Sequence, residues 1–282
     1  MTSARDLLAQ ARAQGVDRLD AQLLLAHALQ RPRAWLLAHD DDALADDDVA
    51  RAAALLQRRA GGEPLAYLVG EREFHGLSLA VAPGVLVPRP DTETLVDWAI
   101  ALLTGDGALA HVPAPRVVDL GTGSGAIALA VKHAVPRARV LAVDASPAAL
   151  GTAAGNAARL GLDVAFAAGS WWQAVDDAGG GDPFHLALSN PPYIAPGDPH
   201  LAALVHEPRE ALVAADDGLA DLAALAAGAP ARLAPGGWLV MEHGWTQAGA
   251  VAGLLRQAGF TQVASRPDLA GHDRCTGGRL PA

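Results

Sequence analysis

The sequence predicts an α/β protein in which a small N-terminal helical bundle precedes a doubly wound, mostly parallel sheet of seven strands. Residues 2–60 carry closely spaced apolar positions that are typical of helices, with acidic runs that fit helix starts. From residue 116 onward, short apolar runs of strand length alternate with helical segments, as they do in βαβ units. A glycine-rich stretch at residues 121–125 joins the first of these strands to its helix.

Composition excludes several classes of protein. The chain has 282 residues, 51% of them hydrophobic, and a formal net charge of −10, which disfavours a non-specific grip on nucleic-acid phosphates. One cysteine, Cys275, excludes a disulfide framework, and the ten histidines show no metal-binding spacing, so no metal is predicted. No apolar run is long enough to span a bilayer and no signal core begins the chain, so we expect a cytoplasmic protein with no membrane partner.

The pattern changes twice along the chain, which predicts three parts. We assign residues 1–63 to a helical substrate-recognition domain, 64–90 to a β-hairpin linker and 91–282 to the catalytic domain. The hairpin is expected to pair residues 77–81 with 85–87 around a Pro83-Gly84 turn. A small acidic bundle ahead of an enzyme favours docking of a protein over docking of DNA.

The glycine-rich stretch predicts a nucleotide-type binding loop. It follows a buried strand at 116–120 and precedes a helix at 126–133, so backbone N–H groups can approach a ligand closely. The second strand, 139–143, ends at Asp144, whose carboxylate can accept hydrogen bonds from both hydroxyls of a ribose. We therefore predict a site for an adenosine-containing cofactor, made by Gly121, Thr122, Gly123, Ser124, Gly125 and Asp144.

Two tryptophans follow the third strand, which is predicted near residues 164–167. Trp171 and Trp172 are expected in a loop at the exit of that strand, where a flat side chain can flank an adenine ring. Tryptophans in a loop also serve simple packing, and of the two, Trp171 is the candidate for contact with the cofactor.

The fourth strand, at 184–189, ends in Asn190-Pro191-Pro192-Tyr193, called here the NPPY segment. Asn190 can accept and donate hydrogen bonds, and the carbonyl of Pro191 lacks a ladder partner in a stiff, extended loop. Tyr193 offers a flat face, so the segment has the composition of a receptor for a planar –NH₂ group. An ordinary proline turn would explain any one of these residues. We assign catalysis to Asn190, Pro191 and Tyr193, substrate binding to all four residues including Pro192, and a cofactor contact to Asn190.

These motifs should meet in one place. In a doubly wound sheet, ligands bind at the carboxyl ends of the strands, and residues 121–125, Asp144, Trp171 and Asn190 all fall on that edge. The convergence of independently identified motifs is the best internal sign of a site.

The chain resembles the class I S-adenosylmethionine-dependent methyltransferases and, more narrowly, the peptide-chain release factor glutamine-N5 methyltransferase family. The resemblance covers nearly the whole length. It is carried by Gly62-Glu63-Pro64-Leu65-Ala66-Tyr67, Arg72-Glu73-Phe74, Pro88-Arg89-Pro90-Asp91-Thr92-Glu93, Asp119 with residues 120–125, the NPPY segment with Ile194, His206-Glu207-Pro208-Arg209-Glu210-Ala211-Leu212 and Glu242-His243-Gly244.

The resemblance implies a Rossmann-like methyltransferase sheet and S-adenosylmethionine as cofactor. It also implies a substrate, the glutamine of the Gly-Gly-Gln loop of class 1 release factors, with the N-terminal helical domain helping to bind that partner. The chain has Ser170 where members of this family often have aspartate.

Three other functions fit parts of the sequence. Gly121, Gly123 and Ala126 also satisfy a dinucleotide fingerprint, which would suit an NAD-dependent oxidoreductase, but the NPPY segment has no role in hydride transfer. A non-catalytic adaptor would not need a complete cofactor loop together with that segment. An adenine-N6 methyltransferase acting on DNA or RNA would need a basic or target-reading segment, and none is evident.

Overall fold

The computed structural model describes residues 2–179 and 181–282, and the chain divides into two compact units, Met1–Glu71 and Arg72–Ala282. The functional roles assigned above to three segments stay predictions. None of the described helices is long and apolar enough to cross a membrane.

The first unit is helical, as predicted. Its buried core consists mainly of leucine and alanine side chains, among them Leu7, Leu24 and Leu56. The helices within the described residues are α1 (Ala4–Ala13), α2 (Arg18–Leu29), α3 (Arg33–Ala38), α4 (Asp46–Ala60) and α5 (Leu65–Val69).

Acidic and hydroxyl side chains begin several of these helices. Ser3 and Asp6 form a reciprocal capping box at α1, and the Asp17 carboxylate accepts from the Leu19 N–H at 2.7 Å at the start of α2. The acidic run 46–48 fills the first turn of α4, where carboxylates favour the positive end of the helix dipole. The expectation of solvated helix starts is therefore confirmed for this run.

The hairpin that follows differs from the expected one. Its strands are β1 (Glu71–Phe74) and β2 (Leu77–Ala80), and the turn is formed by His75 and Gly76, both with positive φ. The prediction of a strand at 85–87 is wrong, because these residues pair with no strand in the sheets described.

The second unit contains the seven-stranded sheet. Its order is β5-β4-β3-β6-β7-β9-β8, parallel except for β9, which is antiparallel to both β7 and β8. The strands are β3 (Arg116–Leu120), β4 (Arg139–Asp144), β5 (Ala165–Ala168), β6 (Phe184–Ser189), β7 (Leu233–Glu242), β8 (Thr261–Pro267) and β9 (Asp273–Arg279). The predicted doubly wound, mostly parallel architecture is confirmed.

Helices cover both faces of this sheet, because the side chains of its central strands are buried alternately on either side. Val117 and Val240 belong to one core, whereas their neighbours Val118 and Leu239 belong to the other. The described helices are α6 (Glu93–Leu103), α7 (Ala126–Ala134), α8 (Pro147–Leu160), α9 (Trp171–Asp177), α10 (Ala215–Gly218), α11 (Ala220–Gly228) and α12 (Ala248–Gln257). Helix α9 replaces the loop expected around residues 169–172.

Strand β3 lies at the point where the strand order reverses. It pairs with β4 on one side, with Leu120 opposite Val143, and with β6 on the other, with Asp119 opposite Leu188. The loops after β3, β4 and β6 therefore leave the sheet side by side, which opens a crevice at their carboxyl ends.

Candidate active site

A cavity of about 250 Å³ lies at this edge of the sheet. The loops that follow β3, β4, β5 and β6 line it, together with residues 84–89 and the segment 208–211. It brings together most of the residues that the sequence singled out, namely Gly121, Thr122, Gly123, Ser124, Asp144, Trp171, Asn190 and Pro192.

The buried carboxyl group of Asp119 fixes the glycine loop by hydrogen bonds. Asp119 Oδ2 accepts from the Thr122 hydroxyl at 2.6 Å and from the Ala128 N–H at 3.2 Å. Burial raises the pKa of Asp119 to about 7, while the Thr122 hydrogen bond opposes that rise. The N–H groups of Gly121 and Thr122 donate to the Val143 carbonyl, so the loop is fixed to β4 as well.

Gly125 does not line the cavity. It has φ +87° at the start of α7, and a Cβ at this position would lie 2.9 Å from Leu129 Cδ1 and 3.1 Å from Ala153 Cβ. The structure gives Gly125 a packing role, because only glycine lets the loop turn this close to α7 and α8.

Asp144 lies at the tip of β4, as predicted, and borders the cavity half-buried. Its Oδ2 accepts from the Gly123 N–H at 2.8 Å and its Oδ1 from the Ser146 N–H at 2.9 Å. Each carboxylate oxygen can accept a further bond, so the group is fixed in position and can still hold hydroxyl donors.

Trp171 and Trp172 have different environments. The ring of Trp171 lies over the glycine loop, since a Cβ on Gly121 would be 2.9 Å from its Cζ3, and its indole N–H donates to Asp221 at 3.1 Å. Trp172 is buried away from the cavity and donates to the Leu225 carbonyl at 2.9 Å. The cavity is thus bordered by Trp171, the candidate named from the sequence.

Asn190 is placed by the pairing of β6 with β3. The Ser189 hydroxyl donates to the Leu120 carbonyl at 2.6 Å, which fixes the end of β6 beside the glycine loop. The Asn190 side-chain Nδ2 donates to Thr92 Oγ1 at 3.2 Å. One N–H of the Asn190 amide is therefore bonded to the protein, and Oδ1 can accept a hydrogen bond from a ligand.

A second cavity, of about 80 Å³, adjoins the first at Asn190. It is lined by Pro191 and Tyr193, the two residues of the NPPY segment that do not line the first cavity. Its remaining walls are mostly aliphatic, formed by Leu86, Arg89, Ile194, Leu204, Ala211 and Leu212. Asn190 consequently borders both cavities.

Tyr193 is tied to a buried acid. Its hydroxyl donates to Glu242 Oε1 at 3.3 Å, and burial raises the pKa of Tyr193, so this hydroxyl stays protonated. Glu242 is fully buried at the end of β7, and burial raises its pKa to about 7. Glu242 Oε2 has no hydrogen-bond partner among the described residues, and the nearby Thr92 hydroxyl and the positive charge of Arg274 partly oppose the rise in the pKa of Glu242.

Two further contacts were not predicted from the sequence. Glu207, which is almost fully buried, accepts from the Val87 N–H at 3.1 Å and forms an ion pair with Arg89, a residue that borders both cavities. Thr92 and Asp221 also line the first cavity. Arg89, Thr92 and Glu207 lie in the sequence motifs that carry the family resemblance, and these motifs are the sequence signal for their place at the site.

The described residues contain no group of three or more histidine, cysteine or carboxylate side chains that could hold a metal ion.

Comparison with known proteins gives matches along the whole chain. Residues 1–70 match the PrmC N-terminal domain family, and residues 93–247 match the methyltransferase small domain family. A release factor glutamine methyltransferase from Bordetella pertussis is 52% identical over 282 residues, which cover 99% of this chain and all of that protein. One of the same name from Xylella fastidiosa is 49% identical over 284 residues, covering 100% of this chain and 99% of that protein.

Among solved structures, the T. thermophilus 16S rRNA N2 G1207 methyltransferase, in complex with AdoMet and guanosine, has a TM-score of 0.53 to this chain. The match covers 74% of this chain and 49% of that one at 18% identity. At this identity the likeness shows the fold alone.

Proposed function

Because the chain belongs to the release factor glutamine methyltransferase family, we propose that it transfers a methyl group from S-adenosylmethionine to the side-chain amide nitrogen, N5, of the glutamine in the Gly-Gly-Gln motif of class 1 peptide chain release factors. The observation that carries this proposal is Asn190, which borders both cavities and has its amide end already bonded to Thr92. The larger cavity suits the cofactor, and the smaller one suits the acceptor side chain.

The larger cavity fits an adenosine-containing group. Asp144 is held by two backbone N–H groups with acceptor capacity to spare, which suits a pair of ribose hydroxyls. The ring of Trp171 lies beside the cavity, where it can flank a planar base. The backbone of residues 121–124 forms the floor, and Gly123 has φ +57° with open space where a side chain would stand. When bound, S-adenosylmethionine supplies an electrophilic methyl group on a sulfonium.

The smaller cavity fits an amide. The nitrogen of a glutamine side chain is a poor nucleophile because its lone pair is delocalised into the carbonyl. Asn190 Oδ1 and the Pro191 carbonyl can each accept one amide hydrogen. These two hydrogen bonds orient the nitrogen and polarise its N–H bonds, so that electron density shifts towards the nitrogen. Positioning of this kind lowers a barrier by up to roughly 7–11 kcal/mol.

We infer that transfer is a direct displacement at the methyl carbon. The N–C bond forms as the C–S bond breaks, the electron pair stays on sulfur, and the amide proton leaves for solvent afterwards. No side chain acts as nucleophile in this scheme. The surroundings of Tyr193 agree with that, because its raised pKa keeps it a neutral aromatic wall and hydrogen-bond donor.

We further propose that the helical N-terminal segment helps to bind the release factor, that no nucleic acid is bound directly, and that the protein works in the cytoplasm. The net charge of −10 supports a protein partner over a nucleic-acid one. The competing function is adenine-N6 methylation of nucleic acid, whose target amine would also suit the NPPY segment.

Incubation with methyl-labelled S-adenosylmethionine tests the proposal. The acceptors are a purified class 1 release factor, the same factor with alanine in place of the motif glutamine, and DNA and RNA. We expect one methyl group on the unmodified factor and none on the other acceptors. Label appearing only in nucleic acid would favour the competing function and refute the proposed one.

A further inference from the structure

The side chain of Gln247, which lies between β7 and α12, connects three backbone segments beside the smaller cavity. Its Nε2 donates to the Tyr193 carbonyl at 3.1 Å and to the Asp217 carbonyl at 3.3 Å. Its Oε1 accepts from the Gly244 N–H at 2.8 Å. A backbone N–H can only donate and a carbonyl can only accept, so these three partners allow one orientation of the Gln247 amide.

Gly218 packs against the same Tyr193 carbonyl. It has φ +84°, and a Cβ at this position would lie 2.1 Å from the Tyr193 oxygen and 2.9 Å from Gln247 Nε2. Asp216 and Asp217, the two residues before it in α10, have φ of +52° and +54°, which is uncommon for residues with a side chain. Such a conformation persists where the surrounding structure holds it, and the bond from Gln247 to the Asp217 carbonyl is one contact that does so.

Tyr193 is also held at its other end and at the residue that follows it. Its hydroxyl donates to Glu242 Oε1 at 3.3 Å. The Ile194 N–H donates to the Leu212 carbonyl at 2.9 Å, and the Ile194 carbonyl accepts from the Ala214 N–H at 3.1 Å. The bond from Gln247 therefore completes a set of contacts that fixes Tyr193 through both its side chain and its backbone.

Tyr193 and Pro191 line the smaller cavity, whereas Gln247 lines neither cavity. A wall that shifts would let an acceptor amide move relative to Asn190 Oδ1 and the Pro191 carbonyl. The rate of a displacement depends on such alignment, and a misplacement of about 1 Å can cost roughly a hundredfold in rate. A residue that fixes Tyr193 can consequently control the rate without contacting the substrate.

We propose that Gln247 is a positioning residue for methyl transfer. By binding the Tyr193 carbonyl, against which Gly218 packs, it holds Tyr193 in the wall of the smaller cavity and so aligns the acceptor amide. The inference rests on the proposed function, since it concerns the acceptor of that reaction.

Gln247→Glu tests this role with almost no change in size. The carboxylate can still accept from the Gly244 N–H, but it has no hydrogen for the carbonyls of Tyr193 and Asp217 and is repelled by them. Gln247→Met has a similar length without polar groups, and it serves as the second test if the new charge prevents folding. Gln257→Glu is the matched control, because it makes the same chemical change at the exposed last residue of α12.

The first measurement is single-turnover methylation of a class 1 release factor at saturating cofactor, in the wild-type and the Tyr193→Ala backgrounds. We expect Gln247→Glu and Gln247→Met to slow transfer at least about tenfold when Tyr193 is present and less than about threefold when it is absent, because the residue that they misplace is then gone. Calorimetric titration with S-adenosylhomocysteine should show affinities within about threefold of wild type, since neither Gln247 nor Tyr193 lines the larger cavity. Gln257→Glu should transfer at the wild-type rate.

A purely structural role for Gln247 predicts a different result. The two substitutions would then slow transfer by the same factor with and without the Tyr193 side chain, and that outcome overturns the inference. Transfer at a near wild-type rate by both variants, or failure of both to fold, overturns it as well. Failure of the wild-type enzyme to methylate the factor would refute the proposed function itself, whereas transfer by the wild type together with any of these results refutes only the positioning role.

Discussion

Replacement of Asp144 probes the cofactor site most selectively, because its carboxylate is the group proposed to hold both ribose hydroxyls. A hydrogen bond to a charged group contributes about 1.5–3 kcal/mol, so loss of two should cost at least roughly 3 kcal/mol. At about 1.4 kcal/mol per factor of ten, Asp144→Ala should weaken binding of S-adenosylmethionine at least about a hundredfold. The Gly123 and Ser146 N–H groups that it releases border an open cavity, where water can replace the carboxylate, so the protein should stay folded.

The assay is calorimetric titration with S-adenosylhomocysteine and with its 2′,3′-dideoxy analogue. Glu210→Gln is the matched control, because Glu210 is an exposed acid that lines the same cavity and its neutralisation removes the same charge. We expect Asp144→Ala to weaken binding of S-adenosylhomocysteine but to leave the affinity for the dideoxy analogue nearly unchanged. The loss of the carboxylate and the loss of the ribose hydroxyls are then energetically coupled. Equal losses for both ligands, or an equal loss in Glu210→Gln, would show that the carboxylate acts by charge alone and not on the ribose.

Three further predictions concern other parts of the molecule. Burial raises the pKa of Glu242 from 4.5 to about 7, so the folded state keeps a proton that the unfolded state releases, and the free energy of unfolding should fall by roughly 3 kcal/mol as pH rises through that window. The raised pKa of Asp119 adds a fall in the same direction. Urea unfolding between pH 5 and 8 should show that the free energy of unfolding falls less with pH in Glu242→Gln than in the wild type. An equal pH dependence in both proteins contradicts the assignment. Trp171→Phe keeps a flat ring but removes the bond to Asp221, so titration should show a smaller loss of cofactor affinity than for Trp171→Ala, and equal losses would argue against stacking. Deletion of residues 2–70 should leave cofactor affinity within about threefold by calorimetry while methylation of the release factor collapses, whereas parallel losses would make this segment a folding element.

The sheet could be predicted because its central strands are short apolar runs buried on both faces, a signal that does not depend on distant residues. Strands β3 and β6 have the predicted bounds, and β4 agrees to within one residue. The hairpin could not be predicted in the same way. Strand β1 reads Glu-Arg-Glu-Phe with one buried residue, so it carries no alternating pattern, and His75-Gly76 is a weaker turn signal than the nearby Pro83-Gly84.

The candidate site also has residues that local sequence patterns predict and residues that they do not. Asp144 and Asn190 were named because each ends a strand, and the ends of parallel strands meet at one edge. The roles of Glu207 and Glu242 depend on contacts between segments far apart in sequence, such as the Val87 N–H with Glu207, and no local pattern encodes such a pairing. Gly125 shows that a motif can also name a residue that does not line the cavity. It belongs to the glycine loop, but a side chain at this position would collide with Leu129.

Single-turnover methylation by Asn190→Ala tests most directly whether the NPPY segment positions the acceptor amide. The substitution removes Oδ1 while leaving the Pro191 carbonyl and the glycine loop in place. With a purified class 1 release factor, we predict a methyl-transfer rate at least about a hundredfold below wild type, equivalent to about 2.7 kcal/mol. A parallel titration should show a much smaller change in cofactor affinity, because Asp144 and the loop carry most of that binding. Transfer at a near wild-type rate would contradict the proposed mechanism and leave the segment as a strand terminator.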